Sequence, residues 1–139
     1  MREETADTVL EMLTNAVDNG IANAASVPGY SIGGKTGTAQ IAGPVRVRVR
    51  VGLDAHGRGI YQDAIRYQYI NGWIDSSFIG VAPASNPQIV MVITIHRPAV
   101  GANNQVAEGP ATAFSQLAPQ VFGYLAIPPD RILTEVARP

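Results

Sequence analysis

The chain has 139 residues and no cysteine. That absence excludes disulfides, thiolate metal sites and a cysteine nucleophile, and leaves the redox compartment open. Charge is scarce, at 15% of residues, and nearly balanced, for a net of −1; this argues against a dedicated nucleic-acid binder. No apolar run approaches the roughly 18–20 residues that cross a bilayer. The opening MREETADTVL lacks the apolar core of a signal peptide, so these residues supply neither export signal nor anchor, and the compartment is unknown from them. Lysine occurs once, as Lys35, among ten basic residues. The two histidines, His56 and His96, have no second ligand at metal spacing; both read as structural, and no metal or cofactor is implied. What is present is apolar: 46% hydrophobic residues in 14.7 kDa suit a single domain with a buried core.

Residues 5–19 predict an amphipathic helix with Val9, Met12, Leu13, Ala16 and Val17 on one face. Glu3, Glu4 and Asp7 suit its positive end, and Gly20 its stop. Residues 30–41 predict a strand whose glycines let something approach its backbone, ended by Gly43-Pro44. Val45 to Val51 alternates strictly, with Arg46, Arg48 and Arg50 opposite the valines. Residues 60–70 alternate again, so 45–70 predicts an inserted β-hairpin around a loop at Asp54–Gly59. Residues 74–82 and QIVMVITIH, 88–96, predict an antiparallel pair, the second reading as a central strand covered on both faces. A loop at 98–109 leads to a helix from Pro110, with Phe114, Leu117, Ala118, Val121, Phe122 and Leu125 as its stripe. Pro119 predicts a kink there. Pro128-Pro129 stops the helix, and 128–139 reads as a tail. The fold class is therefore α+β: three core strands in an antiparallel sheet, an inserted hairpin, and a helix at either end.

The segment Gly33-Gly34-Lys35-Thr36-Gly37-Thr38 carries the chemistry. Gly29 with Gly34-Lys35-Thr36 satisfies the spacing of a phosphate-binding loop. That loop needs a strand before it and a helix starting at the lysine. The Gly37 and Gly43-Pro44 that follow make such a helix costly, about 1 kcal/mol for each glycine and 3 for proline. A nucleotide binder is thus the remote alternative. The second reading is an edge strand bearing Lys-Thr-Gly, the signature of serine acyl-transfer enzymes that handle β-lactams. A cation there lowers the cost of a substrate carboxylate. Thr36 and Thr38, at alternate positions, can donate hydroxyls to that carboxylate. Gly37 leaves room for a substrate backbone, and the Thr38 amide can serve an oxyanion.

With VPGYSIGGKTGTAQ, SSFIGVAPASNPQIVMVITI and GPATAFSQLAPQVFGYLAIPP in order, preceded by TADTVLEMLTNAVDNG, the chain resembles the C-terminal part of the transpeptidase domain of monofunctional, division- or elongation-type penicillin-binding proteins. The resemblance omits the Val-Arg hairpin and the tail. It implies a five-stranded antiparallel sheet flanked by helices, of which this chain holds three strands. It also implies an extracytoplasmic, membrane-anchored parent that cross-links peptidoglycan through a serine acyl-enzyme and binds β-lactams. Lys35, Thr36, Gly37 and Thr38 match the family's third catalytic motif, with Lys35, Thr36 and Thr38 touching substrate. The other two motifs are not matched. Ile32 stands three residues before the only lysine, so Ser-x-x-Lys does not occur, and neither does Ser-x-Asn. The expected function is a fragment of a peptidoglycan D,D-transpeptidase, inactive alone. Its expected partners are a stem peptide or β-lactam and the missing N-terminal part of the domain. The alternative is a non-catalytic module that binds a carboxylate or docks on a partner. The arginine row suits a solvated edge that deters strand pairing; the sharper reading is a surface for anionic glycan, lipid headgroups or nucleic acid. Asp63 is placed to pair with one of those arginines. Tyr67, Tyr69 and Trp73 are expected to pack at the hairpin base, and Glu108 to partner a helix dipole.

Overall fold

The computed structural model describes residues 2–98 and 108–132. Helix α1, Glu3–Asp18, and a short 3-10 turn at Asn23–Ala25 lead into β1, Gly33–Leu53. β2, Gly59–Ala82, and β3, Ile89–His96, follow, and α2, Glu108–Tyr124, closes the described chain. The sheet is antiparallel in the order β1-β2-β3. This is the expected α+β arrangement, with one correction. Gly43-Pro44 does not end a strand. β1 runs through it and β2 runs from Gly59 to Ala82, so the hairpin at 45–70 is the far half of two long strands. Proline is tolerated because β1 is an edge strand, where a missing N–H breaks no ladder bond on the open side.

Directly paired residues share a face of the sheet, so the register sorts the core. Gly34, Thr36 and Thr38 pair with Gly80, Phe78 and Ser76, which pair in turn with Met91, Ile93 and Ile95. α2 covers this face. Phe78 and Phe114, both fully buried, meet edge to face with centroids 5.1 Å apart. Gly80 is a contact requirement: a Cβ there would lie 2.3 Å from the Phe114 ring. α1 packs on the opposite face, where Leu10, Leu13 and Thr14 surround the place a Gly33 Cβ would take. The inward stripe of α1 is thus turned from the expected one. Val17 is buried, but Val9 and Met12 are exposed, because β1 meets the helix along Leu10, Leu13 and Thr14.

β3 is also corrected. It is an edge strand whose Ile89, Met91, Ile93 and Ile95 are half-buried under α2, while Val90 and Val92 are 63% and 60% exposed. A continuous apolar run signals cover on two faces, and among the described residues only one is covered. α2 begins two residues before Pro110 and continues through Pro119. Its end is a hydrogen-bonded cap. Ala126, at φ 53°, donates to Gly123, Ile127 donates to Phe122, and the buried Phe122 and Ile127 close the turn. The chain therefore leaves the helix before Pro128-Pro129. Residues 99–107 of the expected loop, the Glu108 side chain and residues 133–139 lie outside the described residues. Among the described residues, no helix is long and apolar enough to cross a membrane.

Candidate functional site

Lys35, Thr36, Gly37 and Thr38 are consecutive residues of β1, opposite Ile79, Phe78, Ser77 and Ser76 of β2. Among the described residues the other side of β1 is unpaired, so its amides and carbonyls face an open margin. Lys35 is exposed, donates from Nζ to the Thr36 carbonyl oxygen at 2.5 Å, and has no ion pair among the described residues. Its charge is therefore uncommitted to any carboxylate. Thr36 and Thr38 share a parity, as the alternation requires, but not an exposure. Thr36 sits at 8% beside the Phe78 core, while Thr38 is open. A Cβ on Gly37 would lie 2.6 Å from Ser77 Oγ. A side chain there would have to turn the Ser77 hydroxyl aside. The phosphate-loop alternative fails here, since Lys35 and Thr36 open no helix but lie within a strand.

What fixes the entry of β1 is a polar clamp that sequence patterning did not reveal. Val27-Pro28-Gly29-Tyr30 turns with Gly29 at φ 83° and the Tyr30 amide donating to the Val27 carbonyl. The Gly29 carbonyl then accepts from the amides of Asp130 and Arg131, 3.1 Å each. Asp130 in turn accepts from the Ser31 amide at 2.7 Å and from the Ser31 and Ser85 hydroxyls. The Ala84 amide closes the ring by donating to the Ser31 carbonyl at 2.8 Å. Burial pushes the Asp130 carboxyl up, but the serine hydroxyls and the Ser31 amide outweigh it, so its pKa lies below the ordinary aspartate value. Arg131 adds a bidentate pair to Asp18 of α1, at 2.7 and 2.8 Å. That hydrogen bonding, more than the charge attraction, lowers the Asp18 pKa. Residues 128–132, expected as the start of a tail, thus include two that hold the first turn before β1. The only sequence signal was an acidic-basic pair after two prolines, too common to single out.

The remaining expectations fall outside the Lys35–Thr38 margin. His96 pairs with Asp75 at 2.6 Å, and His56 lies exposed in the turn, where its amide donates to Asp54. Among the described residues no cluster of metal-ligating side chains occurs. Asp63 lies opposite Arg48 but forms no ion pair among the described residues. Trp73 stacks on Arg97, 3.5 Å from its ring centroid to the guanidinium. Tyr67 and Tyr69 do not pack at the hairpin base; they are 79% and 66% exposed, because no third strand or helix among the described residues reaches them.

Residues 1–117 match the family model of the penicillin binding protein transpeptidase domain. The chain belongs to that family. It is 32% identical over 135 residues to a probable peptidoglycan D,D-transpeptidase of Pseudomonas aeruginosa, covering 95% of this chain and 20% of that protein. It is 33% identical to the penicillin-binding protein PbpB of Mycobacterium tuberculosis, covering 83% of this chain and 15% of that one. Among solved structures, the transpeptidase domain of Burkholderia pseudomallei penicillin-binding protein 3 superposes with a TM-score of 0.67 at 28% identity, over 93% of this chain and 32% of that one. Penicillin-binding protein 3 of Mycobacterium tuberculosis complexed with ampicillin gives 0.60 at 27% identity, over 94% and 27%. This chain therefore spans about a fifth of the length of the curated relatives it matches. The three-stranded sheet and its two helices are part of a transpeptidase fold.

Proposed function

We propose that these residues form the substrate-cradling margin of a peptidoglycan D,D-transpeptidase and hold the terminal carboxylate of a stem peptide without cleaving it alone. The observation that carries this reading is the extended, open edge of β1 with Lys35 free of any carboxylate among the described residues. The Lys35 ammonium supplies charge and the exposed Thr38 hydroxyl donates to the carboxylate. Thr36, close to burial, orients from beneath. The Thr38 amide is the oxyanion donor, and Gly37 keeps the margin low enough for a peptide backbone to lie along it. Electrostatic stabilisation without a positioned nucleophile forms no acyl-enzyme, and neither Ser-x-x-Lys nor Ser-x-Asn occurs in this sequence. The parent activity would be extracytoplasmic cross-linking with β-lactam sensitivity.

This reading requires the rest of a transpeptidase domain, of which this chain spans only a part. Ile79, Val90 and Val92 leave an apolar strip on the face that α1 packs against, beyond the part α1 covers, next to the edge of β3 that is unpaired among the described residues. An uncovered edge of this kind pairs readily with another strand.

Two measurements test the proposal. A fluorescent penicillin should leave no covalent band on a denaturing gel, and a band refutes catalytic silence. An acyl-D-Ala-D-Ala peptide should bind, and Lys35→Ala should abolish that binding. Unchanged affinity in Lys35→Ala and in Thr38→Val refutes the cradle.

A further inference from the structure

The hairpin beyond Gln40 is a two-stranded ribbon that no helix or third strand covers among the described residues. It leaves the core sheet at a large bulge. Gln40 pairs with Ile74 and Ala42 with Tyr69, so the single Ile41 faces the four residues 70–73. Bulges of this size redirect a strand pair and increase its twist. Twelve residues of β1 follow, 42–53, and project about 40 Å.

Register places the arginines and tyrosines together. Pro44, Arg46, Arg48 and Arg50 pair with Tyr67, Ile65, Asp63 and Tyr61, and Ala42 pairs with Tyr69. One face of the ribbon thus carries Arg46, Arg48 and Arg50 beside Tyr61, Tyr67 and Tyr69. The Arg48 guanidinium lies 5.5 Å from the Tyr61 ring centroid. None of the three arginines forms an ion pair among the described residues. The ribbon, 42–70, holds five of the chain's ten basic residues and two of its 11 acidic ones. It is therefore positive in a chain whose net charge is −1. A row that only deterred strand pairing would need neither adjoining tyrosines nor this concentration of charge. Exposed tyrosine rings offer a flat apolar face with a polar rim, suited to the C–H face of a sugar, and arginine forks suit carboxylates.

We propose that this face binds the polymer itself: glycan with carboxylate-bearing stem peptides, which the ribbon guides toward the open margin at Lys35–Thr38. The inference rests on the transpeptidase reading above. Its support is charge complementarity and continuity, since the arginines lie on the same strand as Lys35 and keep the parity of Thr36 and Thr38. A purely acidic protein surface is the competing occupant.

The test is co-sedimentation of the full 139-residue chain with insoluble peptidoglycan whose terminal D-alanines have been removed by a D,D-carboxypeptidase. Trimming removes the D-Ala-D-Ala pair but leaves a carboxylate on each stem, so a soluble acyl-D-Ala-D-Ala peptide, which carries no glycan, reads the cradle separately from the ribbon. The chain should bind trimmed peptidoglycan, and more weakly as salt rises. The triple variant Arg46→Ser/Arg48→Ser/Arg50→Ser and the double variant Tyr67→Ser/Tyr69→Ser should each bind about tenfold more weakly. All five positions are exposed, and unchanged circular dichroism confirms that the variants fold. Both ribbon variants should bind the acyl-D-Ala-D-Ala peptide as the parent does. Chitin, which offers neutral sugar, and poly-L-glutamate coupled to beads, which offers carboxylate alone, should each bind more weakly than peptidoglycan. Equal binding of poly-L-glutamate overturns the proposal in favour of an acidic surface. Equal binding of chitin, or ribbon variants that bind peptidoglycan undiminished, overturns it too.

Discussion

Replacing Asp130 by alanine should destabilise the chain and loosen the margin that carries Lys35. Its carboxylate receives the Ser31 amide and the Ser31 and Ser85 hydroxyls. Ser31 is only 6% exposed, so water cannot readily replace what it loses. A buried donor left without its acceptor costs about 1–3 kcal/mol. Two factors keep the total modest. Asp130 is itself exposed, which screens its charge, and the Ser31 hydroxyl still accepts from the Ser85 amide at 3.1 Å. A loss of about 2 kcal/mol follows, equivalent to roughly 6–8 °C in Tm for a domain of this size. The pH dependence has a definite sign. Hydrogen bonding holds the Asp130 pKa below the ordinary aspartate value despite burial. Its contribution is therefore complete above the unfolded-chain aspartate range, and is lost as pH falls through the folded value. Melting curves by circular dichroism should separate parent and Asp130→Ala at neutral pH and converge in acid. Ser31 stands four residues before Lys35, so affinity for an acyl-D-Ala-D-Ala peptide should fall in the same variant. A Tm within about 1 °C of the parent at neutral pH, or a gap that persists unchanged in acid, refutes the reasoning.

Two further outcomes follow from packing. A Cβ at Gly34 would stand 2.3 Å from Phe78 Cζ and 3.0 Å from the Ile79 carbonyl oxygen. Gly34→Ala should thus cost about 1–3 kcal/mol in urea unfolding, and combining it with Phe78→Leu should cost less than the two separately if the clash is the cause. Ala126 holds φ 53° at the end of α2. Ala126→Gly should raise stability by about 0.5 kcal/mol, the relief of left-handed strain less the entropy glycine adds to the unfolded chain, and a lowered urea midpoint contradicts that balance.

Local pattern was enough wherever the deciding force was local. The Val-Arg alternation at 45–51 could be nothing but a strand, and Gly37 with Gly43-Pro44 removed the helix that a phosphate loop needs. The extended course of Lys35–Thr38 was legible for the same reason, since Gly37 between two β-branched threonines disfavours a helix. Pattern failed where a distant segment set the answer. Val9 and Met12 fit the helical period as well as Leu10 and Thr14 do, and only the approach of Gly33 chooses the buried stripe. The apolar run of β3 could not say whether one face or two would be covered. The strand break expected at Gly43-Pro44 ignored that proline costs nothing on an unpaired edge, and the edge exists only once the sheet is assembled.

The sequence by itself determined the strand at Lys35–Thr38, the arginine alternation and the two helices, because propensity and period act between neighbours a few residues apart. The tertiary structure alone decided three things. It left Lys35 without a carboxylate partner among the described residues and brought Asp130 back onto Ser31 across 99 positions of sequence. It also set tyrosines of β2 beside arginines of β1. Each depends on the register and closure of segments far apart in the chain, which no local spacing encodes.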